Sequence, residues 1–268
     1  MNTLLAGAEA FAPIMNVPSP SQRAAIEADA RALLVLAGPG AGKTYCLTER
    51  IRFLIERHGF DPARICAFTF TNKAAGEIAH RLEARLGAAA GRITSGTIHA
   101  FCAALLRTHG AAVGLGSGFG IADEEYQLGV LRRLQGHRNW HRKVLTQFSA
   151  HRFCEVALEP DHQKLFERYE RFLAKRNLVD YDMLILRAAD LLERREETAS
   201  IRGRWDVVLV DEFQDLNRAQ YRIVRALAHE HRHVFAVGDH EQSIYSWAGA
   251  HRIVFEKFVS DFGGDARL

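Results

Sequence analysis

Residues 33–44 read Leu33-Leu34-Val35-Leu36-Ala37-Gly38-Pro39-Gly40-Ala41-Gly42-Lys43-Thr44, and the rest of the chain is best read outward from them. The apolar run through Ala37 has the length and composition of a buried strand. It enters a glycine-rich turn, and an amphipathic stretch from Thr44 to about Arg57 follows. Strand, loop and helix in that order form a phosphate cradle. Glycines let backbone N–H groups turn inward around phosphate oxygens, and the helix N-terminus adds its positive end. Lys43 then neutralises β and γ phosphates while Thr44 ligates Mg²⁺. Candidate nucleotide contacts are Ala37, Gly38, Pro39, Gly40, Ala41, Gly42, Lys43 and Thr44, with Ala37 where the usual pattern begins with Gly.

Similar units repeat along the chain. Ile65 to Phe70 is apolar, and Thr71 or Asn72 can cap a helix running through Ala74, Ile78, Leu82 and Leu86. A third unit starts near Arg92-Ile93-Thr94 and continues as a helix from Ile98 to Leu106. Val207 to Val210 and Val234 to Val237 are further continuous apolar runs. Runs of this kind suit strands covered on both faces by helices, so the alternation predicts a parallel α/β sheet. Between Gly110 and about Arg204 the pattern changes to helices only, after a linker carrying Gly114, Gly116, Gly118 and Gly120. The expected organisation is therefore a sheet domain over 1–112 and 204–268 interrupted by an all-helical insertion over 113–203.

Two further segments carry candidate chemistry. Asp211-Glu212-Phe213-Gln214-Asp215 directly follows the Val207 to Val210 run. In a phosphate-loop enzyme an acid at the end of a neighbouring strand holds Mg²⁺ and the next acid polarises the attacking water, roles that Asp211 and Glu212 fit. The second segment, Gly238-Asp239-His240-Glu241-Gln242-Ser243-Ile244-Tyr245-Ser246-Trp247, also follows an apolar run. Gln242 can reach a γ-phosphate. Tyr245 and Trp247 either offer flat faces to unpaired bases or belong to the core, and spacing leaves both readings open.

Composition sets the bounds. The 268 residues are 48% hydrophobic, enough for a sizeable core. A formal charge of +3 permits an anionic partner without requiring one. Cys46, Cys66, Cys102 and Cys154 lie far apart without a C-x-x-C pair, which reads as buried thiols of a cytoplasmic protein rather than disulfides or zinc ligands. The run His229 to His233 reads as a solvated loop before a strand, because no cysteine or carboxylate sits at ligand spacing. No window approaches a membrane span, and the apolar first eighteen residues lack the basic start of a signal peptide, so a soluble protein without a membrane partner is expected. The basic stretch Leu131 to Lys143 fits two readings, a grip on duplex phosphates or a solvated helix-loop-helix surface.

Taken in order, these motifs resemble the N-terminal half of superfamily 1 DNA helicases of the UvrD/Rep/PcrA group, from Pro18-Ser19-Pro20-Ser21-Gln22-Arg23 onward. The resemblance implies a RecA-like phosphate-loop NTPase fold that uses ATP and Mg²⁺ and moves 3′ to 5′ on single-stranded DNA at single/double-strand junctions. It implies that Gln22 reads the adenine and that the segments Thr69 to Ala75 and Gly96 to Phe101 touch the strand, with Phe70, Thr71, Asn72, Lys73, Thr97 and His99 as the site residues. Phe70, Tyr245 and Trp247 match base-stacking positions, and Leu178-Val179-Asp180-Tyr181-Asp182-Met183-Leu184 matches a further family segment. Two positions depart from the pattern: Tyr45 and Ala248 stand where the family usually has arginine. Tyr45 can still stack on adenine, whereas Ala248 removes a cation from the DNA grip. Such helicases complete the ATP site with arginines from a second motor domain, expected in cis or in trans. Two other assignments share the same motifs: the helicase part of a RecB-like or AddA-like helicase-nuclease, and a truncated nucleotide and DNA binding module without turnover.

Overall fold

The structure, a computed structural model, describes residues 17–135, 141–194, 198–228, 233–239 and 253–263. Ser19 opens α1 (Pro20–Glu27). Its hydroxyl accepts from the Gln22 N–H while the Gln22 side chain accepts from the Ser19 N–H, so two groups that the helix leaves unmatched satisfy each other. The expected strand–loop–helix follows as β1 (Ala32–Leu36) and α2 (Lys43–His58). Next come β2 (Ile65–Thr69) and α3 (Asn72–Leu86), then β3 (Thr94–Thr97) and α4 (Ile98–His109). Thr71 and Thr97 cap α3 and α4 by accepting from the N–H groups of Ala74 and Ala100.

The middle of the chain holds β4 (Gly120–Ala122), α5 (Glu124–Gln135), α6 (His141–Cys154), α7 (Pro160–Ala174), β5 (Leu178–Asp180), α8 (Tyr181–Glu193) and α9 (Ala199–Arg202). The chain then returns through β6 (Val207–Val210), α10 (Arg218–Leu227), β7 (His233–Gly238) and α11 (Ile253–Phe262). The expectation of helices only between Gly110 and Arg204 is corrected by β4 and β5. These three-residue strands pair in parallel, Gly120 with Leu178 through Ala122 with Asp180. A Cβ on Gly120 would meet Leu178 Cδ2 at 2.6 Å, so a larger residue there would have to displace that methyl group.

The main sheet is parallel throughout, in the order β1-β7-β6-β2-β3. Side chains alternate between its faces with the strand period of two. Leu33, Val35, Ile65, Ala67, Val207 and Leu209 pack with α2 and α3 on one face. Leu34, Cys66, Phe68, Val208 and Val210 pack on the other with α4, α8, α10 and α11. β6 is buried on both sides, which is why its sequence shows no polar alternation.

The middle segment contributes to two cores. Val130, Leu131, Val144, Phe148, Leu165 and Tyr169 form a separate cluster from α5, α6 and α7. By contrast, Leu184, Ile185, Ala188, Leu191 and Leu192 of α8 join the cluster on the sheet. Between the two lies a buried polar junction centred on Asp180, 1% exposed. Its carboxylate caps α8 by accepting from the Met183 N–H at 2.8 Å, and accepts from Arg152 Nη1 and Tyr169 Oη at 2.9 Å each. Asp182 accepts from Ser149 Oγ at 2.5 Å and stands 3.5 Å from Arg152. The acids of the Leu178 to Leu184 segment therefore fasten the helical cluster to the sheet layer. Breaking such a buried pair from one side costs on the order of 3–5 kcal/mol.

Cys46, Cys66 and Cys102 are buried as expected, but Cys154, the last residue of α6, is exposed. His233 is the first residue of β7 rather than loop, its ring edge-on to Phe60 at 4.9 Å, while residues 229–232 lie outside the described residues. Among the described residues no helix is long and apolar enough to cross a membrane.

Candidate ATP and DNA site

Parallel register brings the candidate residues to one edge. Leu36 pairs with Gly238, Ala236 with Val210, Val210 with Phe68, and Thr69 with Thr97. The segments starting at Ala37, Asp239, Asp211, Phe70 and Ile98 all leave the sheet at its carboxyl edge, the side on which such sheets bind ligands. The acidic strand is not the immediate neighbour of the phosphate-loop strand, as the sequence reading had it, since β7 lies between them. The sites still meet, because the first turn of α2 reaches past the end of β7. There Thr44 Oγ1 donates to Asp211 Oδ2 at 2.8 Å.

The loop between β1 and α2 is held from both sides. Ala37 N–H donates to the Gly238 carbonyl at 2.9 Å, and Gln22 Nε2 donates to the Ala41 carbonyl at 2.9 Å. Gly42 has φ +81°, which favours glycine, and a Cβ there would sit 2.9 Å from Gln22 Nε2 and push that side chain off the loop. Gln22 is thereby set against the loop, with Tyr45 on the first turn of α2 beside it. Arg50 secures this arrangement from beneath. Only 3% exposed, it donates from Nη1 to the carbonyls of Ile26 and Ala28 at 2.7 Å each, tying the end of α1 to α2.

Burial dominates the electrostatics. Asp211 is 1% exposed, and burial pushes its carboxyl up to about 6, with repulsion from Glu212 adding to the rise and the Thr44 hydroxyl and Lys43 opposing it. Asp215 is likewise pushed up to about 6 by burial and then by Glu212, with Lys43 again opposing. Glu212 and Lys43 thus act in opposite directions on both buried carboxyls, and acids outnumber the lysine here, an imbalance that a cation would reduce. Among the described residues no group of three or more His, Cys, Asp or Glu is placed to hold a metal. Thr44 and Asp211 alone suit Mg²⁺, which is held by one or two protein oxygens together with substrate phosphates and water.

Glu212 adopts φ +50°, a left-handed conformation that costs a non-glycine residue on the order of 1 kcal/mol or more. It is secured by Gln214, which the sequence reading passed over. Gln214, 2% exposed, donates from Nε2 to Glu212 Oε2 at 2.6 Å and accepts from the Asp239 N–H at 2.9 Å. The signal available was an uncharged polar residue inside an acidic motif, but its distant partner, Asp239, directly follows β7. A Cβ on Gly238 would meet Gln214 Oε1 at 2.6 Å and the backbone nitrogens of Gln214 and Phe213 at 3.2 and 3.3 Å. Gly238→Ala should therefore dislodge Gln214, lower stability by about 1–3 kcal/mol, and slow hydrolysis more than it weakens nucleotide binding. Urea melts paired with nucleotide titration check this, and unchanged melting and turnover would rule it out.

On the DNA side, Thr71, Asn72 and Lys73 are exposed at the start of α3, and Phe70 and His99 are half-buried. Thr97 is buried, its oxygen engaged in capping α4. Tyr181, which the sequence reading quoted without a role, is 44% exposed with its ring edge-on to His99 at 5.7 Å. Gln242, Tyr245, Trp247 and Ala248 lie outside the described residues, as does the 136–140 part of the basic stretch.

Residues 18–263 match the model of the UvrD/REP helicase N-terminal domain. The chain is 38% identical over 260 residues to DNA helicase II of Escherichia coli (strain K12), an alignment covering 91% of this chain and 36% of that protein. It is 36% identical over 250 residues to DNA helicase II of Haemophilus influenzae, covering 85% and 34%. With the ATP-dependent DNA helicase PcrA of Bacillus subtilis (strain 168) the identity is 34% over 262 residues, covering 91% and 36%. The chain thus spans about a third of the length of these relatives. The match to the family model over residues 18–263, with 38% identity across 91% of the chain to a DNA helicase II, makes this protein a member of the UvrD/REP helicase N-terminal domain family.

Proposed function

We propose that this chain is the ATP-binding motor part of a DNA helicase in which hydrolysis of ATP with Mg²⁺ drives 3′ to 5′ movement along single-stranded DNA at junctions with duplex, in replication, repair or recombination. The observation that carries the reading is the 2.8 Å hydrogen bond from Thr44 to Asp211 at the sheet edge from which the Phe70 and His99 segments also emerge. Lys43 and the N–H groups of the 37–44 loop take the phosphates, Gln22 and Tyr45 flank the base, and Gln242 faces the γ-phosphate. Thr44 and Asp211 would hold Mg²⁺, which would supply positive charge to the phosphates. Glu212, oriented by Gln214, accepts a proton from the attacking water. Phe70, Tyr245 and Trp247 offer stacking faces, Tyr181 adds one beside His99, and Thr71, Asn72, Lys73 and Thr97 line the backbone path.

The division into a sheet domain over 1–112 and 204–268 with an insertion over 113–203 belongs to the same reading. So does a second motor domain, in cis or in trans, whose arginines contribute on the order of 10³–10⁵ in rate in phosphoryl transfer. The 268-residue chain alone is accordingly a weak ATPase.

Binding of labelled oligo-dT tests the reading independently of turnover. The chain should bind with little base preference, and affinity should fall as salt rises, because lysine and arginine contacts to phosphates release counterions. Trp247→Ala or Tyr181→Ala should weaken binding by roughly five- to a hundredfold, corresponding to about 1–3 kcal/mol per lost stacking face, with normal melting and normal ATP affinity. A variant that melts early and loses all binding instead identifies a core side chain. Absence of oligo-dT binding by the parent chain refutes the DNA assignment.

A further inference from the structure

Between the ATP edge and the DNA edge lies a small cavity of about 10 Å³, lined by Thr69, Phe70, His99, Asp211, Glu212 and Gln220 among others. Its position follows from the sheet: Asp211 N–H donates to the Phe68 carbonyl at 2.8 Å, so Thr69 at the end of β2 faces the start of the acidic motif. Thr69 is 2% exposed, and among the described residues its hydroxyl has no hydrogen-bond partner. Buried hydroxyls are almost always matched by protein or by ordered water. The cavity is on the scale of one water molecule, and such a site needs two to four polar partners, which Thr69, Glu212, His99 and Gln220 can supply.

We propose that Thr69 holds a single water joining Glu212 to His99, and that this contact couples the nucleotide state to the grip on the DNA strand. The inference rests on the ATP and DNA reading above and adds the path between the two sites. Phe70 follows Thr69 directly, and His99 meets the exposed Tyr181 ring, so both walls of the cavity continue into strand-facing side chains. A shift of the Glu212 carboxylate on hydrolysis changes what the water can bond to, and His99 and Phe70 answer that change. Thr69 is a positioning residue, since it acts through Glu212 and His99.

Coupling is read without turnover as the ratio of oligo-dT affinities with and without a non-hydrolysable ATP analogue plus Mg²⁺. Linkage requires the same ratio for nucleotide affinity with and without oligo-dT, and couplings of this kind run at about 5- to 150-fold. Thr69→Val keeps the side-chain shape and removes an unmatched hydroxyl, so melting should hold. In that variant each ligand alone should bind as in the parent while the ratio collapses toward unity, and Thr69→Ser should restore it. Loss of either affinity by itself in Thr69→Val, a retained ratio, or no coupling in the parent chain would each overturn the inference. Failure of the parent to bind ATP or oligo-dT at all would instead overturn the functional reading. A crystal structure that resolves ordered water supplies a second check if Thr69→Val folds poorly. Density bridging Thr69 Oγ and Glu212 supports the site, and its absence overturns it.

Discussion

Glu212→Gln should lower DNA-stimulated ATP turnover by about 10²–10⁴, the contribution of a positioned proton acceptor, in any form of the protein that carries the complete ATP site, while ATP–Mg²⁺ affinity stays close to that of the parent. The two effects separate because Glu212 is not needed to hold the ground state. In the proposed site the phosphates would fall to Lys43 and the loop, and the cation to Thr44 with Asp211, which are joined by a 2.8 Å hydrogen bond. Glu212 instead occupies a left-handed backbone position next to that pair, with one carboxylate oxygen fixed by Gln214. An amide at 212 keeps the size and the possible hydrogen bond but cannot take a proton. Loss of transition-state stabilisation without loss of binding appears as a fall in kcat with little change in nucleotide Kd. Single-turnover hydrolysis measured beside equilibrium binding distinguishes the cases. A variant hydrolysing at the parent rate would remove Glu212 from the role of base, and a variant with weakened ATP binding would move it into the cation site.

How much of this was readable beforehand follows from the range of each interaction. The strands β1, β2, β6 and β7 were legible because burial on both faces leaves continuous apolar runs, and the turn from β1 into α2 because its glycines act within eight residues. The cap at Thr71 was legible for the same local reason. Strand order was not, since nothing near Val207 records that β7 will separate β6 from β1. β4 and β5 escaped notice because three residues are too few to show a period, and their pairing joins positions nearly sixty residues apart, Gly120 with Leu178. α8 looked like part of the insertion by sequence neighbourhood, yet its apolar face serves the sheet, a choice made by tertiary packing. Gln214 and Thr69 were hidden for a related reason. Gln214 gains meaning only from Gly238 and Asp239 on another strand, and Thr69 only from the acids opposite it.

Lys43→Ala should weaken ATP–Mg²⁺ binding by about 10- to 150-fold, which corresponds to roughly 1.5–3 kcal/mol for hydrogen bonds to a charged group, and should leave the fold in place. Lys43 is the first residue of α2, directly after the left-handed Gly42, where the helix dipole already favours an anion. A cation at that end is unfavourable for the helix alone, so its presence there serves something outside the helix. The surroundings agree: Lys43 is the cation that opposes the raised carboxyls of both Asp211 and Asp215. Removing it leaves three acids facing an incoming triphosphate, so repulsion is added to the lost attraction. Stability should change little, because the side chain is half-exposed and contributes to neither sheet core. A Lys43→Met variant keeps the aliphatic stem and should bind as poorly as Lys43→Ala, which assigns the loss to charge rather than to packing. Isothermal titration with ATP and Mg²⁺ alongside thermal melting decides the matter. Unchanged affinity in both variants would show that the 37–44 loop binds the nucleotide without Lys43, and the charge argument for the site would fall with it.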